Sequence, residues 1–138
     1  MDNVHVFVST GRFKSVEEMR EFIDETYTED GDGIPSVFIN EVGLDDYEPG
    51  CIEAYCSKNG DLVPHFDLLA GASYADQWLP QLDGSQLADA SICVFSPNVV
   101  SRPHDCSLEY LGSFEYRVVH PEWLQRIIRG DPAGEESK

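Results

Sequence analysis

The chain has 138 residues, 41% of them hydrophobic, with a formal net charge of −17 and a sequence pI near 4.3. That length fits one domain able to bury roughly 70% of its unfolded surface, and its fifteen aromatic residues can fill a core without a disulfide or a structural metal. The charge argues against nucleic acid and anionic membranes as partners, because phosphate binding needs clustered Lys and Arg; a basic protein surface is the better counterpart.

No run of eighteen apolar residues is present, so no membrane helix is expected. The start, Met1-Asp2-Asn3-Val4-His5, lacks the basic and apolar regions of a secretion signal, which predicts a cytoplasmic protein. Four cysteines (Cys51, Cys56, Cys93 and Cys106) are too few and too scattered for a disulfide scaffold and read as core or half-buried thiols. The spacing of Cys51 and Cys56 puts them on opposite faces of a strand.

In chain order, Val4 to Val8 reads as a short apolar strand closed by Ser9-Thr10-Gly11. Ser15 stands three residues before Glu18, a helix-start signature. Val16, Met19, Phe22, Ile23 and Thr26 follow at helical spacing, which predicts a helix over residues 16–27 with its glutamates outward. Glu29 to Gly33 is an acidic loop with two turn-forming glycines. Ser36 leads into a short helix over residues 37–42, with Gly43 as its C-cap. Residues 51–56 read as a strand and Asn59-Gly60 as a turn. Phe66 to Leu82 gives one or two short helical pieces broken at Gly71.

Ala90 to Phe95 is a buried strand stopped by Pro97, and residues 108–118 form a strand bulged at Gly112. His120-Pro121 opens a last helix with Trp123, Leu124, Ile127 and Ile128 inward. The sum is one α+β domain over residues 1–130, with a small, mainly antiparallel sheet packed against a few short helices, and a flexible acidic tail over 131–138.

The chemistry-bearing groups do not assemble into a site by spacing. Asp30-Gly31-Asp32-Gly33 resembles part of a calcium loop, but with Gly33 at the glycine position the closing bidentate ligand falls on Ile39. His104-Asp105-Cys106 has ligating side chains without a second pair at metal spacing. A Cys106 dyad with His65 or His120 has no motif behind it. The expectation is therefore no metal, no cofactor and no catalytic residue.

What stands out is charge. From Glu17 to Glu53 thirteen acids face a single base, Arg20, so this stretch carries −12 of the net charge, interleaved with apolar residues that make it fold. Tyr47 sits inside Asp45-Asp46-Tyr47-Glu48, where its ring either plugs the core edge or anchors a partner. A protein partner is therefore expected to meet Asp30, Asp32, Asp45, Asp46 and Glu48 through charge and Tyr47 through its ring.

Several segments together resemble the immunity protein 22 family. They are Phe13-Lys14-Ser15-Val16-Glu17-Glu18, the stretch from Tyr27 to Phe38, Gly43-Leu44-Asp45-Asp46-Tyr47-Glu48, Leu68 to Asp76, and Leu111-Gly112-Ser113-Phe114-Glu115-Tyr116. The resemblance implies a Trp-aliphatic-Gly triplet at the end of the first strand, where this chain has Phe7-Val8 followed by Ser9-Thr10-Gly11. The resemblance implies a bacterial, cytoplasmic antitoxin that neutralises the cognate toxin domain of a polymorphic toxin system, often a nuclease. The rival readings are a small cytoplasmic enzyme or ligand-binding domain whose acidic surface serves solubility, and a calcium-responsive module.

Overall fold

The computed structural model describes residues 2–44, 47–83 and 85–118. The expected helix after His120, the tail over 131–138, Asp45 and Asp46 lie outside the described residues. In chain order the elements are β1 (Asp2–Ser9), α1 (Val16–Ile23), β2 (Thr26–Tyr27), β3 (Gly33–Ile34), α2 (Val37–Val42) and β4 (Ile52–Cys56). They continue with β5 (Val63–Pro64), α3 (His65–Leu68), α4 (Ala75–Trp78), β6 (Leu87–Ala88), β7 (Ala90–Phe95) and β8 (Glu109–Tyr116).

The strands β4-β7-β1-β8 form a four-stranded sheet in that order, all pairs antiparallel. Two small two-stranded ladders, the hairpin β2-β3 and the long-range pair β5-β6, lie outside it. The α+β architecture expected from the sequence is the observed one. β1 and β7 are the central strands, and both of their faces are covered, which is why they read as nearly unbroken apolar runs.

Each face of the sheet has its own core. On one side Phe7, Ile92 and Val94 meet Met19, Phe22 and Ile23 of α1 and Phe38, Ile39 and Val42 of α2. On the other, Val4, Val6, Val8, Cys93 and Phe95 meet Leu68, Leu69, Ala75 and Trp78. Trp78 is fully buried, and its indole N–H donates to the Ser73 carbonyl at 2.9 Å. Each fully buried side chain of this kind contributes about 1.5–3 kcal/mol by leaving water.

Local signals hold at the helix starts. Ser15 Oγ accepts the Glu18 N–H at 3.1 Å and Ser36 Oγ accepts the Ile39 N–H at 3.2 Å, each satisfying an orphan donor of a first turn. The bulge falls where expected: Val6 pairs with Gly112 and Phe7 with Tyr110, so Leu111 is the extra residue.

Three expectations are corrected. α1 ends at Ile23, four residues before the expected end, because Asp24 turns extended and Thr26-Tyr27 pairs with Gly33-Ile34 instead. Arg20 and Asp24 mark that end with a charge-assisted pair at 2.5 Å. Val16 and Thr26, expected inward, are exposed, since the helix core face extends only from Met19 to Ile23. Cys56, expected to be at least half-buried, is exposed at the end of edge strand β4.

Candidate functional site

The acidic segment folds into a hairpin and a cleft. Past α1 the chain runs through β2, turns, and returns as β3. The turn is closed by Thr28 N–H to the Asp32 carbonyl at 2.9 Å, Gly31 N–H to the Thr28 carbonyl at 3.0 Å, and Asp32 N–H to Thr28 Oγ1 at 3.1 Å. The hairpin bonds to itself, so Glu29, Asp30 and Asp32 all point to solvent. Residues 24–34 carry five carboxylates and no base. Among the described residues, no three His, Cys, Asp or Glu converge as a metal site.

Tyr27, at the base of this hairpin, is 67% exposed, and Ile34 on the pairing strand and Val37 at the start of α2 are exposed as well. Its phenol is pushed above the ordinary value by the Glu25 charge first and by a hydrogen bond to the same group second. Tyr47 stands across from it. Arg20, Asp24, Glu25, Tyr27, Tyr47 and Pro49 line a cleft of about 310 Å³ at the C-terminal end of α1.

Tyr47 bridges the core edge and the end of α1. Its half-buried ring packs against the core beneath α1 and α2, while its O–H donates to Glu25 Oε2 at 2.5 Å. Partial burial and that hydrogen bond both raise the phenol's pKa. Glu48 acts locally, since its carboxylate accepts the Gly50 N–H at 3.0 Å and so caps the turn at Pro49–Cys51. Asn98 clamps the Glu48 backbone, accepting its N–H at 2.6 Å and donating to its carbonyl at 3.1 Å.

Of the six expected contact residues, Tyr47 is therefore joined to the helix end through Glu25. Asp30 and Asp32 project from the adjoining hairpin, Glu48 is held at the cleft's margin, and Asp45 and Asp46 lie outside the described residues. Tyr27, Asp24 and Glu25 were not expected as site residues. An aromatic beside a cluster of five carboxylates was the available signal, hidden because helical periodicity carried through to Tyr27.

The nucleophile candidates are quiet. Burial pushes the Cys93 and Cys106 thiols up to about 12, far from the thiolate that attacks. Cys106 packs on the α1-α2 side of the sheet, whereas His65 opens α3 on the other side. His120 lies outside the described residues. His104 and Asp105 belong to a surface turn in which Asp105 pairs with Arg102 at 3.7 Å.

The family model described as Immunity protein 22 matches residues 6–117, which spans both cores, the hairpin and the cleft. The chain belongs to the Immunity protein 22 family. No curated protein and no solved structure matches it significantly. Membership in an immunity-protein family implies a toxin as partner, and no described helix of this Immunity protein 22 member is long and apolar enough to cross a membrane.

Proposed function

We propose that this protein binds a basic toxin domain of nuclease type in the cytoplasm and blocks it stoichiometrically, without chemistry of its own. The observation that supports it is the juxtaposition of a base-free acidic hairpin, residues 24–34, with exposed Tyr27 and the Tyr47 cleft. A nuclease presents a cationic groove to its phosphate substrate, and a folded carboxylate surface competes for that groove. Charge accelerates encounter, while desolvated aromatic anchors set the lifetime. Glu48 and the neighbouring Asp45 and Asp46 extend the same negative field in sequence.

The test needs a cognate toxin domain, to be sought in the reading frames that neighbour this chain's. Purified protein should abolish that domain's activity at one-to-one stoichiometry. Tyr47→Ala should speed dissociation at a cost of about 2 kcal/mol or more if the ring is a hot spot. Thermal unfolding of that variant, measured alongside, separates a lost anchor from a lost fold. Full toxin activity in the presence of excess folded protein would overturn the proposal.

A further inference from the structure

The core built on α3 and α4 is open at one corner. Phe66, Ala70, Ala75, Leu79 and Pro80, with Asp76 among them, line an apolar groove of about 310 Å³. Phe66 is 42% exposed there, whereas Ala75 and the neighbouring Trp78 belong to the core itself. The surroundings are anionic. Residues 59–101 contain no Lys or Arg, and Asp76 and Asp67, the latter next to Phe66 in the chain, are both exposed.

The end of β8 is fastened to the same corner. The Tyr116 ring stacks on Tyr74, with centroids 4.8 Å apart. Gln77 of α4 then holds the next residue twice: its side-chain N–H donates to the Arg117 carbonyl at 2.8 Å, and its Oε1 accepts the Arg117 N–H at 2.8 Å. Gln77 follows Asp76 and stands within one helical turn of Leu79 and Pro80, so the chain leaves the described domain beside the groove. The family match ends at the same residue, 117.

The sequence beyond it suits that surface. Trp123, Leu124, Ile127 and Ile128 fall on one face at helical spacing, behind Pro121 at a first turn and ahead of Gly130. Isolated helices shorter than about 12 residues are marginal in water, so a helix this short needs an apolar partner. Arg126 and Arg129 against the single Glu122 make it the cationic complement of a base-free surface. Residues 118–122 can span up to about 16 Å, more than the diameter of about 10–12 Å of a helix they would have to round.

We propose that residues 121–129 fold back as a short amphipathic helix over the α3–α4 groove. Trp123, Leu124, Ile127 and Ile128 cover Phe66, Ala70 and Leu79, and the two arginines lie toward Asp67 and Asp76. This clasp closes the second core. Tyr47 and α1 belong to the core on the opposite face of the sheet, so the inference stands apart from the immunity reading.

The experiment is an NMR measurement of nuclear Overhauser contacts in the isotope-labelled full chain. The Trp123 indole signals are identified by their loss in Trp123→Phe. In wild type the Trp123 ring protons should show contacts to the Ala70 and Leu79 methyls. Phe66→Ser removes one wall at a half-open position, and Ala70→Gln fills the groove from an exposed one. Each should abolish those contacts and move the Trp123 indole signal to its position in the urea-unfolded chain. Unchanged amide signals from β1 and β7 certify that a variant is folded; should one variant unfold, the wild-type contacts and the other variant decide.

Absence of the contacts from wild type would overturn the proposal, and so would their persistence in either folded variant. Contacts found only between labelled and unlabelled chains of a mixed sample would put the segment on a second copy. Weakened toxin inhibition by Phe66→Ser, with no wild-type contacts, would give the groove to the toxin. Either result overturns the fold-back and leaves inhibition through the hairpin standing.

Discussion

His5 shows how one side chain on a central strand couples stability to pH. Its ring stacks on Tyr110 with centroids 6.0 Å apart, and Nδ1 lies 2.9 Å from the Tyr110 hydroxyl. Burial lowers its pKa from the ordinary 6.5, because the imidazolium would be desolvated there. Between that lowered value and 6.5 the unfolded chain holds a proton that the native protein does not. Stability from this residue is therefore complete above about pH 6.5, falls as the solution is acidified below it, and levels off once native His5 protonates. Urea unfolding of wild type and His5→Gln between about pH 7 and pH 5 checks the sign. Wild type should lose stability relative to the variant on acidification; a constant difference would mean that the imidazole is fully solvated.

At the scale of elements, α2 is held at its end by a glycine that has two reasons to be one. Gly43 caps the helix in the left-handed region, φ 71°, and its N–H donates to the Ile39 carbonyl at 3.0 Å. An added Cβ would also collide with Ser101 Oγ and approach the Arg102 guanidinium at 3.1 Å. Ser101 in turn donates to the Gly43 carbonyl at 2.8 Å, so it cannot move aside freely. Gly60 has nearly the same backbone, φ 74°, with open space where its Cβ would go. Gly60→Ala should cost about 1–2 kcal/mol from conformation alone, and Gly43→Ala more than that, since strain and collision add. Equal losses in denaturant melts would show that the α2-to-Ser101 contact yields easily.

The same elements show which parts of the fold were legible. β1, β7 and both capped helix starts were readable because their signals are local: an apolar run buried on both faces, or a serine three residues before its donor. The two small ladders were not, because two-residue strands carry no periodicity. Thr26-Tyr27 continued a helical pattern until pairing with Gly33-Ile34 overrode it. That override concealed that Tyr27 and Glu25 line the same cleft as Tyr47.

For the whole molecule the question is whether the −17 acts as a general field or as an aimed one. The hairpin projects beside a cleft that Ile52 of edge strand β4 helps to line, whereas β8 forms the opposite edge of the sheet. Glu109 and Glu115 of β8 are exposed, as Asp30 and Asp32 are. Two double variants therefore remove the same charge from two different places. If the hairpin steers the toxin, Asp30→Asn/Asp32→Asn should slow association by about 2- to 10-fold at low ionic strength and flatten its salt dependence, with dissociation nearly unchanged. Glu109→Gln/Glu115→Gln should then leave the association rate close to wild type, because those charges stand on the opposite edge strand and charges more than about 10 Å apart are screened at 0.1 M salt. Exposed polar substitutions of this kind change stability by less than about 0.5 kcal/mol, so both variants stay folded for the comparison. Stopped-flow association at several salt concentrations reads the difference. Equal slowing by the two pairs would make the field a general one and remove the hairpin from the encounter.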